Sequence, residues 1–221
     1  MMSEIDITDE QYNDYHVSIE PYLKAISYEV DHNYTGDFVK YGAEGTLQIH
    51  YNYRNGKKHG QCSTFFPNEQ LQSEVYYRDG EFHGPYTEYN FANHLWIEAF
   101  YQNGLMEGEY QEWHNNGIIH VQANFKNGKR DGKYLKWYAN GQVHIEASYV
   151  NDNLEGDIKE WYSNGQLASQ INYKDGVEHG YCYKWHENGQ AYIMSLYYYG
   201  TLVGEYLEWK EDGSLRRHNI Y

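Results

Sequence analysis

The chain has 221 residues, among them 27 tyrosines, 21 glycines and only 3 prolines, a bias that suits short strands separated by glycine turns. Its net charge is −15, from 32 acidic and 17 basic residues. That charge repels nucleic acid and anionic lipid surfaces, attracts a basic partner, and keeps a tyrosine-rich sheet soluble. Sparse leucine and alanine argue against a helical bundle.

Residues 1–35 read as an acidic cap. Residues 1–22 carry six acids and no lysine or arginine. Ile26, Tyr28 and Val30 then alternate, which predicts a degenerate half-repeat. The opening MMSEIDITDE has neither a basic start nor an apolar core and does not read as a secretory signal. No apolar run is long enough to span a bilayer.

From residue 36 to 221 the chain is periodic. Gly36, Gly60, Gly84, Gly108, Gly132, Gly156, Gly180 and Gly204 lie 24 residues apart, without an insertion. Each of these glycines is position 0 of its repeat. Position 5 is aromatic in all eight repeats: Tyr41, Phe65, Tyr89, Trp113, Trp137, Trp161, Trp185 and Trp209. Position 11 is aliphatic throughout, from Leu47 to Leu215, and position 17 is aromatic throughout, from Tyr53 to Tyr221.

Each repeat therefore predicts one β-hairpin. A first strand leads from position 0 to the aromatic at 5, glycine at 9 marks a turn, and a second strand alternates from 11 to 17. Leu95, Ile97, Ala99 and Tyr101 show that alternation, as do Val143, Ile145, Ala147 and Tyr149. A three-residue turn pairs position 5 with 11 and position 3 with 13. Glu69, Asn93 and Asp152 replace the turn glycines. Glutamate tolerates the left-handed backbone poorly, so Pro67-Asn68-Glu69 is expected to turn differently. Position 2 (Phe38, Tyr86, Tyr110, Tyr134, Tyr206) has the wrong parity to join the aromatic at 5. Either it covers a second layer, or a bulge at the position-0 glycine flips it.

The expected fold is all-β: an elongated repeat solenoid, an antiparallel meander of eight 24-residue hairpins. Cys62 and Cys182 share one column five repeats apart, about 50 Å at two strands per repeat. A disulfide between them is excluded, and a reducing, cytoplasmic setting is expected. The 12 histidines fall mostly in columns, such as His59, His83 and His179, or His120 and His144. Column mates about 10 Å apart cannot converge on one ion. With no Cys-x-x-Cys, phosphate loop, H-E-x-x-H or Gly-x-Ser-x-Gly, neither enzyme activity nor a metal or cofactor is expected.

The even positions 4, 12, 14 and 16 are expected to face outward. They carry Glu74, Glu88, Glu98, Glu112, Glu146 and Glu160, an acidic strip for a basic partner or a solvated face. Two places break the polar pattern: Tyr76 with Trp96 and Phe100, and the seventh-repeat run Tyr192, Met194, Leu196 and Tyr198. Both read as interface anchors or as covered surface.

The stretches Glu107-Gly108-Glu109-Tyr110 and Lys174-Asp175-Gly176-Val177-Glu178-His179-Gly180 resemble the MORN repeat in its bacterial variant form, over residues 36–221. The arrangement also resembles the YwqK-type antitoxins within that group. The resemblance implies antiparallel hairpins stacked into a curved or twisted sheet, with no catalytic residue. It makes an immunity protein that blocks a basic toxin the leading expectation, while the charge of −15 argues against direct membrane binding. A self-associating scaffold is the second, and a glycan-binding surface the third.

Overall fold

The structure is a computed structural model describing residues 30–42 and 44–221. Of the expected cap and half-repeat only residues 30–35 are described, with Val30 and Tyr34 packed against the core; the rest lies outside the described residues. All eight hairpins are present. They are β1 (Gly36–Tyr41) with β2 (Leu47–Arg54), β3 (Lys57–Phe65) with β4 (Leu71–Arg78), and β5 (Glu81–Tyr89) with β6 (Leu95–Gln102). In the fourth, β7 (Leu105–Met106) and β8 (Gly108–Trp113) share the place of one strand beside β9 (Ile119–Lys126). There follow β10 (Lys129–Trp137) with β11 (Val143–Val150), then β12 (Asn153–Leu154) and β13 (Gly156–Trp161) beside β14 (Leu167–Lys174). The last two are β15 (Val177–Trp185) with β16 (Ala191–Tyr198), and β17 (Thr201–Trp209) with β18 (Leu215–Ile220).

Successive strands pair antiparallel in chain order, with β7 and β8 both on β6 and β12 and β13 both on β11, giving one open meander. The described residues include no helix long and apolar enough to cross a membrane.

The register departs from a plain ladder at two places in each repeat. Position 5 pairs with 11 as expected (Trp113↔Ile119), but position 4 pairs with 13 (Glu112↔Val121) and position 3 with 14 (Gln111↔Gln122). The expected 3↔13 pairing is therefore wrong by one residue. A β-bulge makes residue 12 supernumerary, and every column beyond it changes face. A second irregularity sits at the position-0 glycine, toward the preceding strand (Tyr51↔Cys62, then Tyr53↔Lys58). At Gly84, φ is 117° and an added Cβ would lie 3.1 Å from Cβ of Tyr76, so both the twist and the close approach require glycine.

The first bulge answers the position-2 question. Position 2 stands opposite position 15, and the pairs compensate in size: Tyr86↔Ala99, Tyr110↔Ala123, Tyr134↔Ala147 and Cys62↔Val75. The position-2 ring meets the position-17 ring edge-on, as in Tyr86–Tyr101 at 6.2 Å and Tyr134–Tyr149 at 5.8 Å. Positions 2, 13, 15 and 17 thus make a packed face on which Tyr51 and Tyr86 are only 1% exposed. Full burial of each such side chain stabilises by roughly 1.5–3 kcal/mol.

Two hydrogen-bond columns lock each repeat to the next. The position-20 N–H donates to the position-22 carbonyl one repeat back, as Gly104 does to Phe82 and Gly128 to Met106, both at 2.8 Å. The position-8 asparagine does two jobs. Asn140 Oδ1 accepts from Gln142 N–H within its own turn, and Nδ2 donates to the Ser163 carbonyl of the next. Asn116, Asn164 and Asn188 repeat the pattern. In the eighth repeat the residue is Asp212, whose carboxylate keeps the turn bond to Ser214 but has no amide to donate.

Glu69 turns in the same way as its glycine counterparts, against expectation, with φ of 63°. Its N–H donates to the Phe66 carbonyl at 2.8 Å, matching Gly117 to His114. The strain is offset by Oε1, which accepts from Leu47 N–H at 3.2 Å.

Candidate functional site

The bulge splits the sheet into two faces of different chemistry. Positions 1, 3, 5, 11, 14 and 16 share an open face. The cross-strand contacts Lys133–Glu146, Gln170–Asp157 and Tyr76–Gln61 link its columns 1, 14 and 16. Positions 4, 6 and 12 belong to the packed side, where Thr64 bonds Ser73 at 2.6 Å and Arg216 bonds Glu208 at 2.9 Å.

The outward placement expected for the acidic strip therefore holds for only half of it. Glu74, Glu98 and Glu146 stand on the open face opposite Ser63, Thr87 and Leu135. Glu74 accepts from Gln61 Nε2, and Glu146 pairs with Lys133 Nζ at 3.1 Å. Glu88, Glu112 and Glu160 sit at position 4 and turn to the packed side.

There they anchor buried polar groups. Tyr86 Oη donates to Glu88 at 2.7 Å, and Tyr110 Oη to Glu112 at 3.2 Å. Burial raises the Glu88 carboxyl pKa above the ordinary carboxylate range, with the Tyr86 hydrogen bond opposing it. Burial also raises the Tyr86 and Tyr110 phenols, helped by the neighbouring carboxylates.

Histidines complete these units. His120 contacts Glu112 at 3.2 Å and packs its ring, tilted, against that of His114 with centroids 4.1 Å apart. His144 contacts Glu160 at 3.3 Å and stacks on Tyr138 at 4.2 Å. At position 6, Tyr138 and Tyr162 donate to the Trp161 and Trp185 carbonyls at 2.8 Å. His114 and His186 reach the Trp137 and Trp209 carbonyls at 2.9 and 3.0 Å. A carbonyl only accepts, so Nε2 carries the proton and histidine replaces tyrosine in one bracing role. Among the described residues, no group of three or more His, Cys, Asp or Glu could hold a metal ion. Cys62 and Cys182 are buried free thiols, and burial pushes Cys62 up to about 11.

The two aromatic groups singled out in the sequence are divided by the same bulge. Tyr76 and Phe100 lie on the open face, Phe100 opposite Pro85. Trp96 is the supernumerary residue of its bulge, in the column where His120 and His144 reach packed-side carboxylates, so it does not join them. In the seventh repeat, Tyr192 packs its ring, tilted, against His186 at 4.6 Å on the packed side. Met194 and Leu196 are on the open face opposite Tyr183 and Tyr181. Tyr198 lies at the turn, 61% exposed, with its ring 4.9 Å from that of Tyr199.

The structure adds residues the sequence reading passed over. Tyr181, Tyr183 and Trp185 stack in series with centroids 5.6 and 6.1 Å apart. With Met194, Leu196 and Leu207 they form one continuous apolar surface. Their signal was present: position 1 is polar in six of the eight repeats and position 3 in four, and tyrosine occurs at either position only in the seventh. Further along the open face, Lys133, Leu135, Gln142, Val143, Glu146, Trp161 and Gly165 line a groove of about 500 Å³.

No curated protein matches the chain significantly. The family model for the MORN repeat variant matches residues 58–79, 106–127, 130–151 and 154–175. Each match begins two residues before a position-0 glycine (Gly60, Gly108, Gly132, Gly156), in the phase of the observed hairpins. Four of the eight hairpins thus match the MORN repeat variant by sequence, and the all-β meander is consistent with a solenoid built from such hairpins.

Proposed function

We propose that the protein is a non-catalytic binding scaffold that captures and neutralises a basic protein, in the manner of an antitoxin acting in a reducing, cytoplasmic setting. The observation that carries this reading is the seventh-repeat surface of stacked Tyr181, Tyr183 and Trp185 beside Met194 and Leu196. Tyr181 is 53% exposed there, on a chain of net charge −15. Exposed, rigid aromatics with aliphatic neighbours are the usual anchors of a protein interface, and the charge speeds encounter with a basic partner.

The test is capture of partners from the native host, comparing the wild-type chain with Tyr181→Ala and with Met194→Glu/Leu196→Glu. The reading expects a basic protein held in fixed stoichiometry, harmful when produced alone, harmless when produced with this chain, and released by the substitutions. An acidic partner, or capture unaffected by either variant at unchanged circular dichroism, contradicts it. A self-associating scaffold is the second reading. It is favoured by β18, whose Leu215, Ile220 and neighbouring Tyr221 are 52%, 78% and 61% exposed. Light scattering separates the two: a concentration-dependent oligomer without a partner supports the scaffold.

A further inference from the structure

The open face carries a second feature that outlasts any single repeat. Trp113, Trp137, Trp161, Trp185 and Trp209 occupy position 5 of five consecutive repeats, all half-buried. Each stands opposite an aliphatic or alanine of its own hairpin: Ile119, Val143, Leu167, Ala191 and Leu215. Between the fifth and sixth repeats the row is recessed, because Val143 of one hairpin and Trp161 of the next line the same groove of about 500 Å³.

The spacing of this row selects its occupant. Each repeat adds two strands, so the row advances about 9.6 Å per tryptophan. A polyproline-II chain has three residues per turn and a rise of about 3.1 Å, returning to the same face every ~9.3 Å. A β-strand returns every ~6.7 Å and misses the next site. An α-helix returns after seven residues, at ~10.5 Å, and slips by nearly 1 Å at each repeat. Aromatic-lined grooves hold polyproline-II segments well, because little entropy is lost on binding.

Charge adds a preference. Glu146 lines the groove, paired there with Lys133 at 3.1 Å, and Glu98 and Glu74 continue its open-face column in the third and second repeats, just before the row begins. Asp157 and Glu205 extend the acidic surface at position 1, against Lys133 and Lys159.

We infer that the tryptophan row binds an extended, proline-rich, basic segment of the partner, with an apolar residue at every third position seated between successive tryptophans. This rests on the protein-binding reading above and names the chemistry of what is bound.

The test is isothermal titration of the whole chain with a synthetic peptide of five Pro-Pro-Lys triplets, about five polyproline-II turns. The controls are Gly-Ser-Lys triplets of the same length and charge, Pro-Pro-Glu triplets, and a helical heptad peptide of equal charge. The inference expects Pro-Pro-Lys to bind about tenfold or more tighter than every control. It expects Trp161→Ala to weaken binding by about tenfold, as loss of an interface anchor does. Glu98→Lys/Glu146→Lys changes only surface groups and weakens binding whether or not Trp161→Ala perturbs the fold.

Equal binding of Pro-Pro-Lys and Gly-Ser-Lys, tighter binding of the helical peptide, or unchanged affinity in the glutamate variant overturns the inference. A captured basic protein that saturating Pro-Pro-Lys peptide fails to displace overturns it too, while leaving the protein-binding reading intact. Peptide binding without any basic protein partner in the host supports the groove chemistry and removes the neutralising role.

Discussion

The two faces of the sheet are made from the same strands, yet they differ in what holds them. On the packed face Tyr86 is 1% exposed, Ala99 opposite it is 3% exposed, and their repeat counterparts Tyr134 and Ala147 are 6% and 1% exposed. On the open face the position-5 tryptophans are larger but only half-buried, and Tyr181 and Phe100 are 53% and 45% exposed. One supernumerary residue per hairpin produces this difference. Without it the tyrosine at position 2 and the aliphatics at 13 and 15 would lie on opposite sides, and neither side would close. The packed face makes the sheet stable, which leaves the aromatic groups of the open face available for recognition.

The comparison breaks if substitutions on the two faces cost the same. Tyr86→Ala removes a buried ring and the Glu88 hydrogen bond, and the account expects a loss of about 3–5 kcal/mol in urea unfolding. Trp161→Ala removes more atoms from a half-buried site and is expected to cost about 1–3 kcal/mol, the smaller loss despite the larger side chain. The bracing between repeats falls between faces. Asn140→Ala loses both the turn bond to Gln142 and the bridge to Ser163, and is expected to cost about 1–2 kcal/mol by the same measurement. Asp212→Ala, with only the turn bond to lose, is expected to cost about half as much.

A pH titration of stability sharpens the role of the inward carboxylates. Burial raises the Glu88 pKa above its ordinary value of 4.5, so the folded state binds this proton more tightly than the unfolded state. Its contribution is fully present below pH 4.5 and is lost as pH rises through the raised folded value. Glu88→Gln keeps an acceptor for Tyr86 and is expected to remove that decline, read as a flatter plot of unfolding free energy against pH. The smallest expected effect is at His114→Tyr, which supplies the donor that Tyr138 uses, and should change stability by no more than about 0.5 kcal/mol.

Much of this was legible in the sequence because each repeat restates it. The glycine period, the columns at 5, 11 and 17, the hairpin count and the wide separation of Cys62 from Cys182 all follow from spacing alone. The face assignment of Glu88, Glu112, Glu160, Trp96 and Tyr192 did not, because an inserted residue leaves no gap in a sequence whose period is constant. Position 12 holds glutamine, tryptophan, histidine, alanine, tyrosine and arginine in different repeats, a mixture with no polarity to betray its direction. The clue was that aromatic residues at both 2 and 5 cannot share one strand face; the extra residue that brings 13 and 15 round to the position-2 side lies at position 12 of the partner strand, opposite the step from 4 to 5. The Glu69 turn was misread for a different reason. Backbone preference disfavours glutamate there, but the Leu47 bond that offsets the strain comes from a residue 22 positions earlier.

The most direct test of the account is the cross-strand register of one central hairpin, read by nuclear Overhauser contacts between backbone protons of β8 and β9. The account predicts contacts joining Tyr110 to Ala123, Gln111 to Gln122 and Glu112 to Val121. Contacts joining Gln111 to Val121 instead would contradict it, returning Glu112 to the open face and dissolving the distinction between the two sides.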